Sequence, residues 1–188
     1  MSAAFDRKKL FVLGASAGVA AAVPSFARAA AVPDGDLAYL RLLVAAELLK
    51  MDFEAEAAKV APSTTLARMR KADAAHYASL STLITRAGEV PATADDIDFS
   101  YPNHSFNGPE TVTALAGTLT ELTLGAYLGA IENVQTASLR LPLGQIAANE
   151  AQQLSAIALL DGRDIIGHAF APSLQIEAVS AELGRYES

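Results

Sequence analysis

Leu66, Met69, Leu80 and Leu83 fall on one stripe of a helix, and the two remaining places of that 3-4-3-4-3 series are taken by Asp73 and His76. A helix that buries this stripe against its neighbours must bury an acid and an imidazole with it. Buried polar groups are costly unless they find partners. Both the packing and the chemistry of the chain therefore depend on what stands opposite these two residues.

Four long stretches keep helical period, and turn signals separate them. The first runs from Asp36 to Val60 and stops before Pro62; the second opens at Ser63 or Thr64 as N-cap and ends near Gly88. A third begins after Asn107-Gly108-Pro109 and continues to Val134, and a fourth runs from near Pro142 to Leu160. A shorter amphipathic stretch follows Pro172-Ser173 and ends by Tyr186. The links between the first and second and between the third and fourth are short. The link between the second and third, "EVPATADDIDFSYPNHSFNGPE", is long, with three prolines and no helical period. Helices of 20 to 25 residues are about 30 to 37 Å long. The expected fold is all-α: two antiparallel hairpins tied by one crossover into a four-helix bundle, with a short C-terminal fifth helix.

The first 29 residues stand apart. A basic start, "MSAAFDRKK", leads into the apolar run "LFVLGASAGVAAAVPSF", and "ARA" has the small-x-small form of a cleavage site. The run is short for a span of about 20 residues and is interrupted by Gly14, Gly18 and Pro24. It reads as a signal peptide over 1–29, with an uncleaved anchor as the alternative, and residues 30–188 form the domain. Arg7-Lys8 resembles the twin-arginine type of signal with one arginine replaced, which leaves the general secretory route open. The expected location is outside the cytoplasm, periplasmic or extracellular, with no stable membrane span after processing. The leader carries +3 of a whole-chain charge of −7, so the remainder carries −10. So acidic a surface argues against nucleic acid and anionic lipid as partners. The chain has no cysteine, which removes disulfides, thiolate metal sites and cysteine nucleophiles.

Other helices also carry polar residues on their inner stripes. The first presents Leu40, Leu43, Val44, Glu47, Met51 and Glu54; the fourth presents Leu143, Ile146, Glu150, Gln153 and Ile157. In the third, Glu121 lies between Gly117 and Gly125, with Gly129 beyond, a line of glycines that suggests the approach of another backbone or of a buried site. A pseudo-repeat emerges. Glu47 precedes Asp73-x-x-His76 in the first hairpin, and Glu121 precedes Glu150-x-x-Gln153 in the second. Residues three apart share a helix face, so each pair can reach one ion. Carboxylate and imidazole suit iron, manganese or zinc.

On these residues the chain resembles the bacterial exported ferritin-like domain family, relatives of desiccation-related proteins. "AAELLKMDFEAE" is similar to that family's first helix, "DFSYPNHSFNGPETV" to its crossover and "TELTLGAYLGAI" to its third helix. The resemblance implies a bundle in which two lone glutamates and two Glu-x-x-His pairs hold iron or manganese, one or two ions. It puts Glu47, Asp73, His76, Glu121 and Glu150 at ligand positions, with Gln153 where a second histidine is expected, and it gives Glu54 no role beyond an acid at the end of the bundle. It implies a ferroxidase-like or oxidative-stress-protective role through reaction of reduced metal with oxygen or peroxide, and loss of metal in Glu121→Ala. The alternative is a metal-free, non-catalytic bundle of the envelope, and the sequence leaves a homo-oligomer open. His104 and His168 are candidates for loop histidines or for imidazoles behind the ligands, either of which could supply the missing imidazole although most isolated histidines do neither, and Tyr127 reads as a packed aromatic. No nucleophile elbow or phosphate loop is present.

Overall fold

The structure, a computed structural model, describes residues 32–167 and 169–188. The expected leader and His168 lie outside the described residues. Among the described residues five α-helices follow in order: α1 Asp34–Val60, α2 Thr64–Arg86, α3 Pro109–Asn133, α4 Ala137–Leu160 and α5 Ile176–Leu183. The first four form an all-α bundle in which α1 packs on α2 and α3, and α4 packs on α3 and α2; α5 lies against α1 and α3.

Local chemistry sets the helix ends. Ser63 caps α2, its hydroxyl accepting from the Leu66 N–H at 3.5 Å. Gly88, at φ +90°, closes the other end, where the Glu89 N–H donates to the Ile84 carbonyl at 3.2 Å. Pro109 occupies the first position of α3, where a missing N–H costs nothing. Helix α4 starts at Ala137 rather than near Pro142, so this proline sits in the second turn. The start is earlier because the α3–α4 turn is held from outside. Asp36, in the first turn of α1, accepts from the N–H groups of Gln135 and Thr136 at 2.9 and 2.8 Å. The same contact shows that α3 runs antiparallel to α1 and α4 parallel to it.

The crossover spans one side of the bundle. Tyr101 donates to Asp52 at 2.8 Å and packs with Phe53, Phe106 and Tyr186; Phe99 forms an isolated antiparallel bridge with Glu187. Helix α3 is long and apolar enough to cross a bilayer, but most of its apolar window is buried inside the bundle. Gly125 and Gly129 face residues 172–174, and Gly117 faces Ile157 and Arg163. The Leu174 N–H donates to the Gly125 carbonyl at 2.9 Å, and a Cβ at Gly129 would collide with the Leu174 carbonyl. Of the two readings of the glycine line, close approach of another backbone is the one observed.

Candidate metal centre

The 3-4 spacing that placed Asp73 and His76 inside α2 also runs through α1, α3 and α4. In α1 it passes through Leu40, Leu43, Glu47, Lys50, Glu54 and Ala57, all buried. In α4 it passes through Leu143, Ile146, Glu150, Gln153 and Ile157, and in α3 through Ala116, Thr120, Thr123, Tyr127 and Ala130, again all buried. Where the α1, α2 and α4 stripes meet, the middle of the bundle holds Glu47, Lys50, Glu54, Asp73, His76, Glu150 and Gln153, with Tyr127 reaching in from α3.

His76 lies at the centre of one half. Its Nδ1 is 3.2 Å from Glu150 Oε1, 3.4 Å from Glu47 Oε1 and 3.6 Å from Asp73 Oδ1. One donor atom from each of Glu47, Asp73, His76 and Glu150 lies within 4.8 Å of the other three. Tyr127 donates to Glu47 Oε1 at 2.5 Å, which orients that carboxylate and leaves its Oε2 buried without a hydrogen-bond partner. His76 Nδ1 likewise has no hydrogen bond of good geometry. Lys50 lies at the centre of the other half, with Nζ 2.5 Å from Glu150 Oε2, 3.1 Å from Asp73 Oδ2 and 3.0 Å from Gln153 Oε1. Gln153 turns its other end to Asp73, donating from Nε2 to Oδ1 at 2.6 Å.

Burial and proximity set the protonation of the cluster. Desolvation raises Glu47 to about 7, against the pull of His76 and Lys50. Desolvation, and then the charge of Asp73, raise Glu54 to about 10, so it is a neutral acid near pH 7. Burial also raises Asp73. Burial opposes the charged forms of His76 and Lys50, but the surrounding carboxylates win: His76 rises to about 9 and Lys50 also rises. Glu150 goes the other way; Lys50 and His76 outweigh its desolvation and lower it. At neutral pH two cations, Lys50 and His76, thus face the anion Glu150, while burial pushes Asp73 and Glu47 toward their neutral forms.

The domain model described as Ferritin-like domain matches residues 36–163. The chain belongs to the ferritin-like domain family. Its fold is similar to that of a hypothetical protein from Methanococcus jannaschii, with a TM-score of 0.61 at 9% identity over 87% of this chain and 98% of that one. At that identity the likeness is one of fold. No curated protein gives a significant match.

This ferritin-like bundle brings together five of the six residues singled out from its sequence. Glu47, Asp73, His76 and Glu150 converge, and Gln153 joins them through Asp73 and Lys50. Glu121 does not: it is exposed on α3, on the side of Gly117 and Gly125, whose neighbours are Ile157, Arg163, Pro172 and Leu174 rather than the cluster. Glu54, expected at the end of the bundle, is buried beside the cluster. His104 is exposed in the crossover at φ +72°, its Nδ1 paired with Asn107 Nδ2 at 3.0 Å, and supplies no imidazole to the centre. It lines a surface hollow with Asp52, Glu56 and Tyr101, and none of the cluster residues borders that hollow. Tyr127 is a packed aromatic whose hydroxyl also holds Glu47. The residue missed altogether is Lys50.

The donors fit one divalent ion. Three carboxylates and an imidazole are a hard-to-borderline set, and three of their buried atoms, Glu47 Oε2, Asp73 Oδ2 and His76 Nδ1, make no hydrogen bond of good geometry, a lack an ion would fill.

Proposed function

We propose that this protein is an exported ferritin-like bundle that holds divalent iron or manganese at Glu47, Asp73, His76 and Glu150, in an oxidative-stress-protective role. The observation that carries the reading is the convergence of those four side chains, all buried, within 4.8 Å. A bound reduced ion would supply electron transfer to oxygen or peroxide. The chain's own residues do the rest. Tyr127 fixes Glu47 through one oxygen, and Gln153 fixes Asp73. His76 must give up its Nδ1 proton before that atom can ligate, so binding releases protons. Surrounding apolar residues, among them Leu43, Leu80 and Leu143, exclude water. The reading is tested by stripping the protein with chelator, reloading it with Fe(II) without oxygen and counting metal per chain. About one is expected. None, with the helices intact, would overturn it.

A second reading rests on one observation. Lys50 and His76 both stand against Asp73 and Glu150, so cations of the chain itself already offset the buried carboxylates and the bundle can stand as a metal-free envelope protein. An uptake of zero in the same experiment is the result that favours it.

A further inference from the structure

We propose that the Lys50 ammonium is the second cation of this centre, built into the chain where a two-metal bundle would hold its second ion, and that it limits the protein to one divalent ion. The inference deepens the metal reading and rests on it for the first ion. Asp73 and Glu150 each turn one oxygen to His76 and the other to Lys50. Asp73 Oδ1 and Glu150 Oε1 lie 3.6 and 3.2 Å from the imidazole, while Oδ2 and Oε2 lie 3.1 and 2.5 Å from the ammonium. Carboxylates shared in this way bridge two cationic places. Gln153 Oε1 completes an oxygen cage around one of them, and Lys50 already stands in it.

Three departures from the two-ion pattern then have one cause. Lys50 brings a positive charge on α1. Gln153 is the side chain that suits it, because its oxygen accepts from Lys50 while its nitrogen donates to Asp73; a protonated imidazole there would repel the ammonium. Helix α3 contributes no carboxylate: Thr120 and Tyr127 point inward and Glu121 outward. A single charge on Lys50 is matched without a carboxylate from α3.

The test is Mn(II) bound per chain by equilibrium dialysis, with thermal unfolding in chelator and in Mn(II), for the wild type, Lys50→Met, Gln153→His and the double variant. The wild type and Gln153→His are expected to bind one ion each and the double variant two. Lys50→Met is expected to melt well below the wild type in chelator and to gain more from Mn(II) than the wild type does. Two ions in Gln153→His alone would overturn the role of Lys50, and so would an unchanged melting temperature for Lys50→Met in chelator. If Lys50→Met does not fold, Gln153→His still decides, because it keeps the ammonium. The two readings fail separately. No ion in the wild type but one in Lys50→Met removes the resident metal and keeps Lys50 as its stand-in. One ion in the wild type and two in Gln153→His does the reverse.

Discussion

Two buried acidic regions of this bundle are built in opposite ways. At one end, Asp36 receives the N–H groups of Gln135 and Thr136, one on each oxygen. Burial works to raise its pKa, and the Thr136 side chain, those two N–H donors and the charge of Arg140 together more than offset it, so the group lies below 3.8. In the middle, four carboxylates share too few donors: one oxygen each of Glu47 and Asp73 and both of Glu54 have no hydrogen bond, and all three groups are pushed up. A buried acid whose oxygens are saturated by backbone serves the fold. A buried cluster left short of donors is stable only with cations, whether protons, an ammonium or a metal.

The comparison can be broken most forcefully at Lys50. Lys50→Met strands Asp73 and Glu150, and breaking a buried pair in this way costs about 3–5 kcal/mol. In urea unfolding the loss should appear in metal-free buffer and shrink when Mn(II) is added. Asp36→Ala strands two backbone donors, at about 1–3 kcal/mol for each one buried, and here added metal should change nothing. Equal metal sensitivity in the two variants would erase the distinction between the regions.

Proton linkage should separate them by sign. Glu47 and Glu54 hold protons in the folded chain above 4.5, up to about 7 and about 10, and His76 does so from 6.5 to about 9. Their contribution is full below the unfolded values and is lost as pH rises through the folded ones. The contribution of Asp36 runs the other way: it is present above 3.8 and lost as pH falls through its lowered folded value. Metal-free protein should therefore lose stability from pH 5 to pH 9, while metal affinity rises over the same range. Asp36→Asn should flatten only the acid limb. A metal-free stability that climbs between pH 5 and 9 would contradict the assignment. The smallest effect is expected at Glu121: Glu121→Ala should shift stability by no more than about 0.5 kcal/mol and leave metal content unchanged.

The fold was legible because helical period, two short links and one long one leave few ways to assemble four helices. Most of the centre was legible for the same reason, since Asp73, His76, Glu150 and Gln153 each interrupt an apolar stripe. Lys50 was legible too: Leu40, Leu43, Glu47, Lys50, Glu54 and Ala57 repeat the α2 series, and following it strictly places Lys50 inside in preference to Met51. Glu121 misled because it matches the pseudo-repeat by position along the chain but is out of phase with Ala116, Thr120, Thr123 and Tyr127. The α4 start was obscured by Pro142, which reads as a first-turn residue until Asp36, 99 positions earlier than Gln135, is seen to hold the turn.

The central claim is a single divalent ion beside a permanent ammonium, and anomalous scattering from Mn(II)-loaded crystals of the protein tests it most directly. One peak per chain is expected, within bonding distance of His76 Nδ1 and oxygens of Glu47, Asp73 and Glu150, with Lys50 still lodged between Asp73, Glu150 and Gln153. Two peaks with Lys50 displaced from that cage, or no peak in the bundle at saturating metal, would contradict it.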